Sequence, residues 1–588
     1  MLQIERSGDT TIVEAASYRL EIASGERHYV RLEVPPGRPL ADLALLSSAH
    51  PPGGVDELVE LGEMTIARAD DGRVTVRQSA RSTVWAAKRA ELSCLPKGLM
   101  YRAIFRGSAA LDEVQLFEHG ERDDRYLNRP TPSGFWRPPR AREGWTPSRP
   151  YFPGVFSPAP NGAARTRFWF GERATNHPAN DGSFWGGDWF FTPAPFAYAL
   201  GGDGRWLLVG LAPRREDLGF VHFDYRGGEG WGLGLTYQGM TRVDGDWEAP
   251  RVLMLAGTDE YAALADYHDW LEEDGVTPAS SRAGQPWWPE PIWCGWGEQV
   301  AREGRRRANA LSTQRNYESW LGLLERHGLS PGTIVIDDRW QARLGGAEPS
   351  GGWPRMRQFI ADQHARGRRV LLWHNVWEVE EPQADETLIL RHGAPALGAF
   401  GYPMRDPTAS HFGDRMRRLM ARLLGPPPEG LGADGLKLDI THSTPSGPGY
   451  EGPTAWGNAL LHSLLHQTYE AAKETRPDAL IESHAANPYF RDTCDALRLN
   501  DVFTDLASVV EQMRHRALVA RAAGFDLIDT DCWSMPSRAA LLEYVETQPE
   551  LGIPALYYVT RVDQSRERLR EADYRRIAAV WHRYRRSL

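Results

Sequence analysis

The chain has 588 residues and a net charge of −10. Its Lys and Arg residues are scattered rather than gathered into basic tracts, which excludes the usual footprint of a nucleic-acid or anionic-membrane partner. A hydrophobic content of 41% over this length can bury several cores and predicts a multidomain protein.

The four cysteines, Cys94, Cys294, Cys494 and Cys532, stand far apart and form no C-x-x-C pair. They read as reduced thiols, not as a disulfide framework or a zinc centre. The first residues lack a basic patch followed by an apolar run, and no 18-residue apolar stretch occurs, so the expected location is the cytoplasm. The 22 tryptophans tilt expectation slightly towards carbohydrate, because indole faces stack on sugar rings as well as filling cores.

Residues 1–257 carry short alternating runs such as Thr11-Ile12-Val13-Glu14 and Arg73-Val74-Thr75-Val76, separated by turn residues. That pattern predicts an antiparallel β-sandwich of the large, supersandwich-like kind. Segment 126–195 interrupts it with crowded Pro, Gly and Trp, and reads as a loop-rich cap over the sandwich or a loop reaching towards the next domain. Residues 258–290 read as a helical linker, with Tyr261, Leu264, Tyr267, His268 and Leu271 at helical steps before a proline-rich run.

From 291 to 588, eight buried-looking strands alternate with helices, which matches the size of a (β/α)8 TIM barrel. The strands are read at 292–296, 333–338, 369–374, 435–439, 479–482, 496–501, 525–529 and 554–559. Between the fifth and sixth there is room for only one brief helix. A doubly wound open sheet is the competing architecture. The absence of a glycine-rich phosphate fingerprint favours closure, as do polar residues at nearly every strand end.

Those strand ends supply Trp296 and Glu298, Asp337 and Asp338, Trp373 and His374, Lys437 and Asp439, Glu482, Arg498 with Asp501, Asp529 with Asp531, and Tyr557. So many carboxylates around one mouth repel one another unless a cation or hydroxyl groups separate them, so the candidates are a metal site or a polyol site. No metal-ligand arrangement is strong. His462 and His466 are four apart without the glutamate of His-Glu-x-x-His, and read as helix-face histidines. Neither a metal nor a cofactor is expected.

A polyol site demands two carboxyls flanking a glycosidic bond, one kept ionised and one with a raised pKa. Asp439, with Lys437 beside it, suits the first role. Asp501, following Leu497 and Leu499, suits the second.

The run Asp337-Asp338-Arg339-Trp340, then Gly352-Trp353-Pro354, Leu371-Leu372-Trp373 and Lys437-Leu438-Asp439, with Trp293-Cys294-Gly295-Trp296 on the first strand, resembles the α-galactosidases of glycoside hydrolase family 36 and their clan. The resemblance implies that Asp439 is the nucleophile and Asp501 the acid/base. It also implies that Asp337, Asp338 and Lys437 bind sugar hydroxyls. Trp296, Trp373, His374, Glu482, Arg498, Asp529 and Asp531 complete the expected substrate-binding set.

Three departures mark a divergent member or sister family. Leu438 replaces a tryptophan, Asn500 a serine, and Glu482-Ser483-His484-Ala485-Ala486-Asn487-Pro488 the glycine-rich cysteine segment that helps select galactose. The expectation is a retaining, exo-acting α-glycoside hydrolase acting on a carbohydrate. The alternatives are a transglycosylase of the raffinose-synthase type, an α-glycosidase of other specificity and a non-catalytic sugar-binding protein. The sugar, and whether the chain forms a homo-oligomer, stay open.

Overall fold

A computed structural model describes residues 2–24, 29–69, 72–117, 148–158, 191–227, 230–279 and 284–588, the last apart from 384, 448, 452 and 503–507. The short strands Glu121–Asp123, Phe135–Arg137, Arg167–Phe168 and Arg173–Asn176 are also described. Most of the predicted cap at 126–195, including 177–190, lies outside the described residues.

The N-terminal region is antiparallel. A six-stranded sheet runs from Gln3–Ser7 through Pro39–Leu43 to Arg149–Pro150, and a 13-stranded sheet is built around the long strands Gly98–Leu116 and Trp231–Glu248. Those two pair antiparallel from Ile104↔Glu248 to Leu116↔Leu233, with one register shift at Leu111/Glu113. Alternation sets the inner face: Val13, Leu20, Ile22, Val30 and Leu32 are fully buried, while Ile12, Glu21 and Arg31 beside them are partly exposed.

An α-helix, Glu260–Glu273, follows, its first turn capped by the Asp259 carboxylate, which accepts from Tyr261 N and Ala262 N. Eight parallel strands come next: β1 Ile292–Cys294, β2 Thr333–Ile336, β3 Arg369–Asn375, β4 Gly435–Asp439, β5 Leu480–Ser483, β6 Ala496–Arg498, β7 Ile528–Asp529 and β8 Ala555–Leu556. Neighbours pair in chain order, β8 returns to β1 through Ile292↔Ala555 and Trp293↔Leu556, and a parallel bridge Asp529↔Ile553 joins β7 to the approach of β8. The sheet is thereby a barrel and not an open doubly wound sheet.

The first strand ends sooner than its apolar run predicts. Gly295 adopts helical backbone angles and Trp296 already opens the helix Trp296–Glu303. A β-carbon at Gly295 would collide with the Tyr317 hydroxyl, which instead reaches the end of β2 and accepts from Asp337 N at 3.1 Å. Between β5 and β6 there is a single 3₁₀ stretch, Pro488–Thr493, matching the short connection foreseen.

The sandwich is keyed onto the barrel by specific bonds. The helix Gly457–Thr475 has no side-chain cap, and its early amides are satisfied across the domain boundary: Asn458 N donates to Phe220 O at 3.0 Å and Ala459 N to Leu218 O at 2.9 Å. Gly457 has φ +58°, and a β-carbon there would strike the Phe220 carbonyl. Tyr489 donates to Pro213 O and Asn487 Nδ2 to Ala194 O, at 2.8 and 2.7 Å. One contiguous apolar core runs through both regions. Among the described residues no helix is long and apolar enough to cross a membrane.

Candidate active site

Period-two alternation makes Trp373, Lys437 and Glu482, in register on β3, β4 and β5, point into the barrel together, and does the same for Arg498 and Asp529 on β6 and β7. The same rule sends His374 the other way, in register with Leu438, towards the helix layer. There it is buried, and its imidazole pKa is pushed down to about 3 by burial, with the Arg405 guanidinium adding to the effect. The structure therefore parts His374 from the other strand-end residues.

At the C-terminal mouth, Arg498 is the hub. Its Nη2 donates to Asp439 Oδ1 at 2.9 Å and its Nη1 to Asp531 Oδ2 at 2.8 Å, while Nη1 lies 3.6 Å from Asp501 Oδ1. One guanidinium thus holds Asp439 and brings Asp501 to the same place from β6. Among the described residues Arg498 forms no hydrogen bond to Glu482.

Asp439 is held on all sides. Trp373 Nε1 donates to Oδ2 at 2.9 Å, Ile440 N donates to Oδ1 at 2.9 Å, and His484 Nε2 lies 3.9 Å from Oδ1. Burial alone would raise its pKa. The Arg498 charge, then Lys437, His484 and the Trp373 donor overcome that and hold the carboxyl well below the usual carboxylate range. Lys437 acts at one remove, because its ammonium sits on Asp337 Oδ2 at 2.7 Å and over the Tyr557 ring at 5.3 Å.

Asp501 is shifted in the opposite direction. Burial, reinforced by the nearby Asp531 charge, pushes its carboxyl up to about 7, with Arg498 pulling against the shift. The side chains of Asp439 and Asp501 are 19% and 20% exposed, against 4% for Asp337, 1% for Arg498 and 0% for Asp531. Within this cluster the oppositely tuned pair is what solvent can reach.

Asp337 is enclosed by donors: Lys437 Nζ, the Cys294 thiol at 3.1 Å and Asp338 N at 2.9 Å. Asp338 Oδ1 is buried without a hydrogen-bond partner among the described residues, and burial pushes the Asp338 carboxyl up to about 7. Trp296 stands at the rim edge-on to Trp533, ring centroids 5.8 Å apart.

Asp531 is consumed by structure, accepting from Cys532 N, Trp533 N and Arg498. Asp529 accepts from Asp531 N, and burial raises it to about 7. Glu482 lies deeper, fully buried, neither carboxyl oxygen hydrogen-bonded among the described residues, and burial together with Asp529 pushes it well above the usual range. Glu298 is fully buried and ties the loop after β8, accepting from Val559 N and Thr560 N at 2.8 Å.

Four non-glycine residues with positive φ flank the carboxylates: Arg339, Ile440, Asn500 and Asp531, at +68°, +68°, +63° and +48°. A β-branched isoleucine in that region is costly, and such strain gathers where a functional group must be aimed. Here it turns the chain sharply after Asp439, so that Ile440 N reaches back to the carboxylate.

Sequence reading passed over a second tier behind Asp439. His484 Nδ1 lies 2.6 Å from Asn500 Nδ2, and its Nε2 lies 2.7 Å from Thr441 Oγ1. Thr441 in turn hydrogen-bonds Thr192 of the sandwich, whose N–H donates to His484 O at 3.2 Å. The only sequence signal for this tier was the departure at Ser483-His484 and Asn500 from the family pattern.

No protein-family model matches the chain, and no curated protein matches it in sequence. Solved structures do match in fold. A GH31 family sulfoquinovosidase from E. rectale superposes with a TM-score of 0.60 at 12% identity, over 99% of this chain and 82% of that one. TtGalA, an α-galactosidase from Thermus thermophilus, does so with a TM-score of 0.51 at 18% identity, over 88% and 99%. The GH36 α-galactosidase AgaA from Geobacillus stearothermophilus gives 0.51 at 11% identity, over 100% and 86%. The architecture of a β-sandwich joined to a (β/α)8 barrel is thus one this chain shares, over nearly its whole length, with solved glycoside hydrolases of GH31 and GH36.

Proposed function

We infer that the chain is a retaining, exo-acting α-glycoside hydrolase with Asp439 as nucleophile and Asp501 as acid/base. The observation that carries the reading is the pair itself: two carboxyls reachable by solvent, gathered by one arginine, one held ionised and the other held protonated near neutrality. That is the division of labour glycosidic cleavage requires. The exo mode and the α linkage rest on the family resemblance.

In the first step Asp439 Oδ2 or Oδ1 attacks the anomeric carbon while the Asp501 proton passes to the leaving oxygen, which departs as an alcohol. In the second, Asp501, now a carboxylate, takes a proton from water, whose oxygen displaces Asp439 from the sugar. Asp338, with an unmatched oxygen, and Lys437, with N–H groups beyond its bond to Asp337, are the groups best placed to hold sugar hydroxyls. His484 stands where the family carries its galactose-selecting segment but is fully buried behind Asp439, so preference for galactose is not part of the proposal.

Following the anomer released first by ¹H NMR, from a panel of aryl α-glycosides, tests the mechanism. The α-anomer is expected, and Asp439→Asn is expected to lose activity by at least about 10³-fold with unchanged melting temperature. Initial release of the β-anomer, or substantial turnover by Asp439→Asn, would remove the assignment.

A further inference from the structure

Away from the barrel mouth, His462 and His466 share one face of the helix Gly457–Thr475, their rings near parallel with centroids 5.4 Å apart. Sequence pattern alone leaves them without a third partner. The fold brings one from the connection between β5 and β6: Asp492, in the stretch Pro488–Thr493, with Oδ1 2.9 Å from His462 Nε2, and O and Oδ2 3.2 and 3.5 Å from His466 Nδ1. One ligand atom from each residue lies within 4.8 Å of the other two. Ligands of a tetrahedral zinc ion are about 3.3 Å apart, so small side-chain rotations converge the three.

We propose that His462, His466 and Asp492 form a binding site for a first-row transition-metal ion of the zinc class, the fourth position being open to water. Two imidazoles one helical turn apart and a carboxylate suit such an ion, whereas hard cations prefer all-oxygen sets.

The site has a resident competitor. Arg215, in the sandwich, places Nη2 2.9 Å from Asp492 Oδ2. Its side chain is 45% exposed, so the ion pair is of the weak, solvent-screened kind and the guanidinium can swing into solvent. His466 is 35% exposed, leaving a way in. A bound ion would clip a barrel helix to the connection that also carries His484, behind Asp439.

The test uses the full chain, stripped with a chelator and titrated with Co²⁺, whose visible absorption reports tetrahedral coordination, and then with Zn²⁺ in competition. One equivalent of Co²⁺ with tetrahedral bands is expected, displaced by Zn²⁺ and lost in His466→Ala and Asp492→Asn. Arg215→Ala is expected to tighten binding roughly fivefold by removing the competing cation. Absence of saturable binding, unchanged binding in His466→Ala, or weaker binding in Arg215→Ala would overturn the proposal. Circular dichroism of His466→Ala, whose ring is partly exposed, separates loss of the site from loss of the fold.

Discussion

Replacing Asp501 by Asn links catalysis and stability through a single proton. In the folded chain the carboxyl is pushed from 3.8 to about 7, chiefly by burial and then by the Asp531 charge. Because the folded pKa lies above the unfolded one, the folded state binds more protons between about pH 4 and pH 7. Stability therefore falls as pH rises through that window, and the whole penalty is present above the folded pKa. Raising a carboxyl that far costs its ionised form roughly 4 kcal/mol, reduced here because the side chain is 20% exposed. Asn carries no such penalty, so Asp501→Asn is expected to match the parent in urea unfolding near pH 4 and to exceed it by a few kcal/mol at pH 8. For kcat/KM the same group predicts a descending limb near pH 7 in the parent. In the variant that limb disappears, and the rate on a substrate with a poor leaving group drops by about 10²–10⁴-fold. A variant that keeps the limb near pH 7, or gains no stability at pH 8, would refute both the acid role and the assigned shift.

Trp373→Phe removes the donor to Asp439 Oδ2 while keeping an aromatic ring. A bond to an ionised acceptor is worth about 1.5–3 kcal/mol, so kcat/KM should fall by about tenfold or more. Asp439 must be ionised to attack, so raising its pKa moves the ascending limb of the pH–rate profile to higher pH, and an unmoved limb would count against the bond's role. Gly457→Ala tests the domain seam: with φ +58° and the Phe220 carbonyl in the way, it is expected to cost about 2–4 kcal/mol in chemical unfolding. A neutral result would mean that the seam yields easily.

The barrel was legible because its signals are local. Apolar runs ending in charged residues mark strands, and amphipathic stretches mark the helices. The helices Val509–Ala522 and Glu571–Arg585 follow the sixth and eighth strands, as the alternation of strands with helices requires. The first strand was overrun because Trp293-Cys294-Gly295-Trp296 reads as one apolar run. Its end is fixed by Tyr317, distant in sequence, packing against Gly295. Alternation admits only one of the consecutive strand residues Trp373 and His374 to the interior. The strand register alone separates His374 from Trp373, pairing it with Leu438 and not with Lys437.

What sequence could not supply is the pairing among charges. Lys437 lies two residues from Asp439 and invites a direct pair, yet it spends its ammonium on Asp337, and Arg498 binds Asp439 instead. Both outcomes put the same charges in the same barrel, but they assign different chemistry. With Lys437 committed to Asp337, the charge of Asp439 is held chiefly by an arginine whose other nitrogen also faces Asp531 and Asp501. Asp531 takes part of that guanidinium and, by its charge, raises Asp501. The Asp439 and Asp501 pKa values are therefore moved apart by one shared network, and the buried Asp531 carboxylate helps raise that of Asp501. Asp531, expected from the sequence in the substrate-binding set, lies fully buried behind that pair. It accepts two backbone amides and Arg498, and so positions the arginine that holds Asp439.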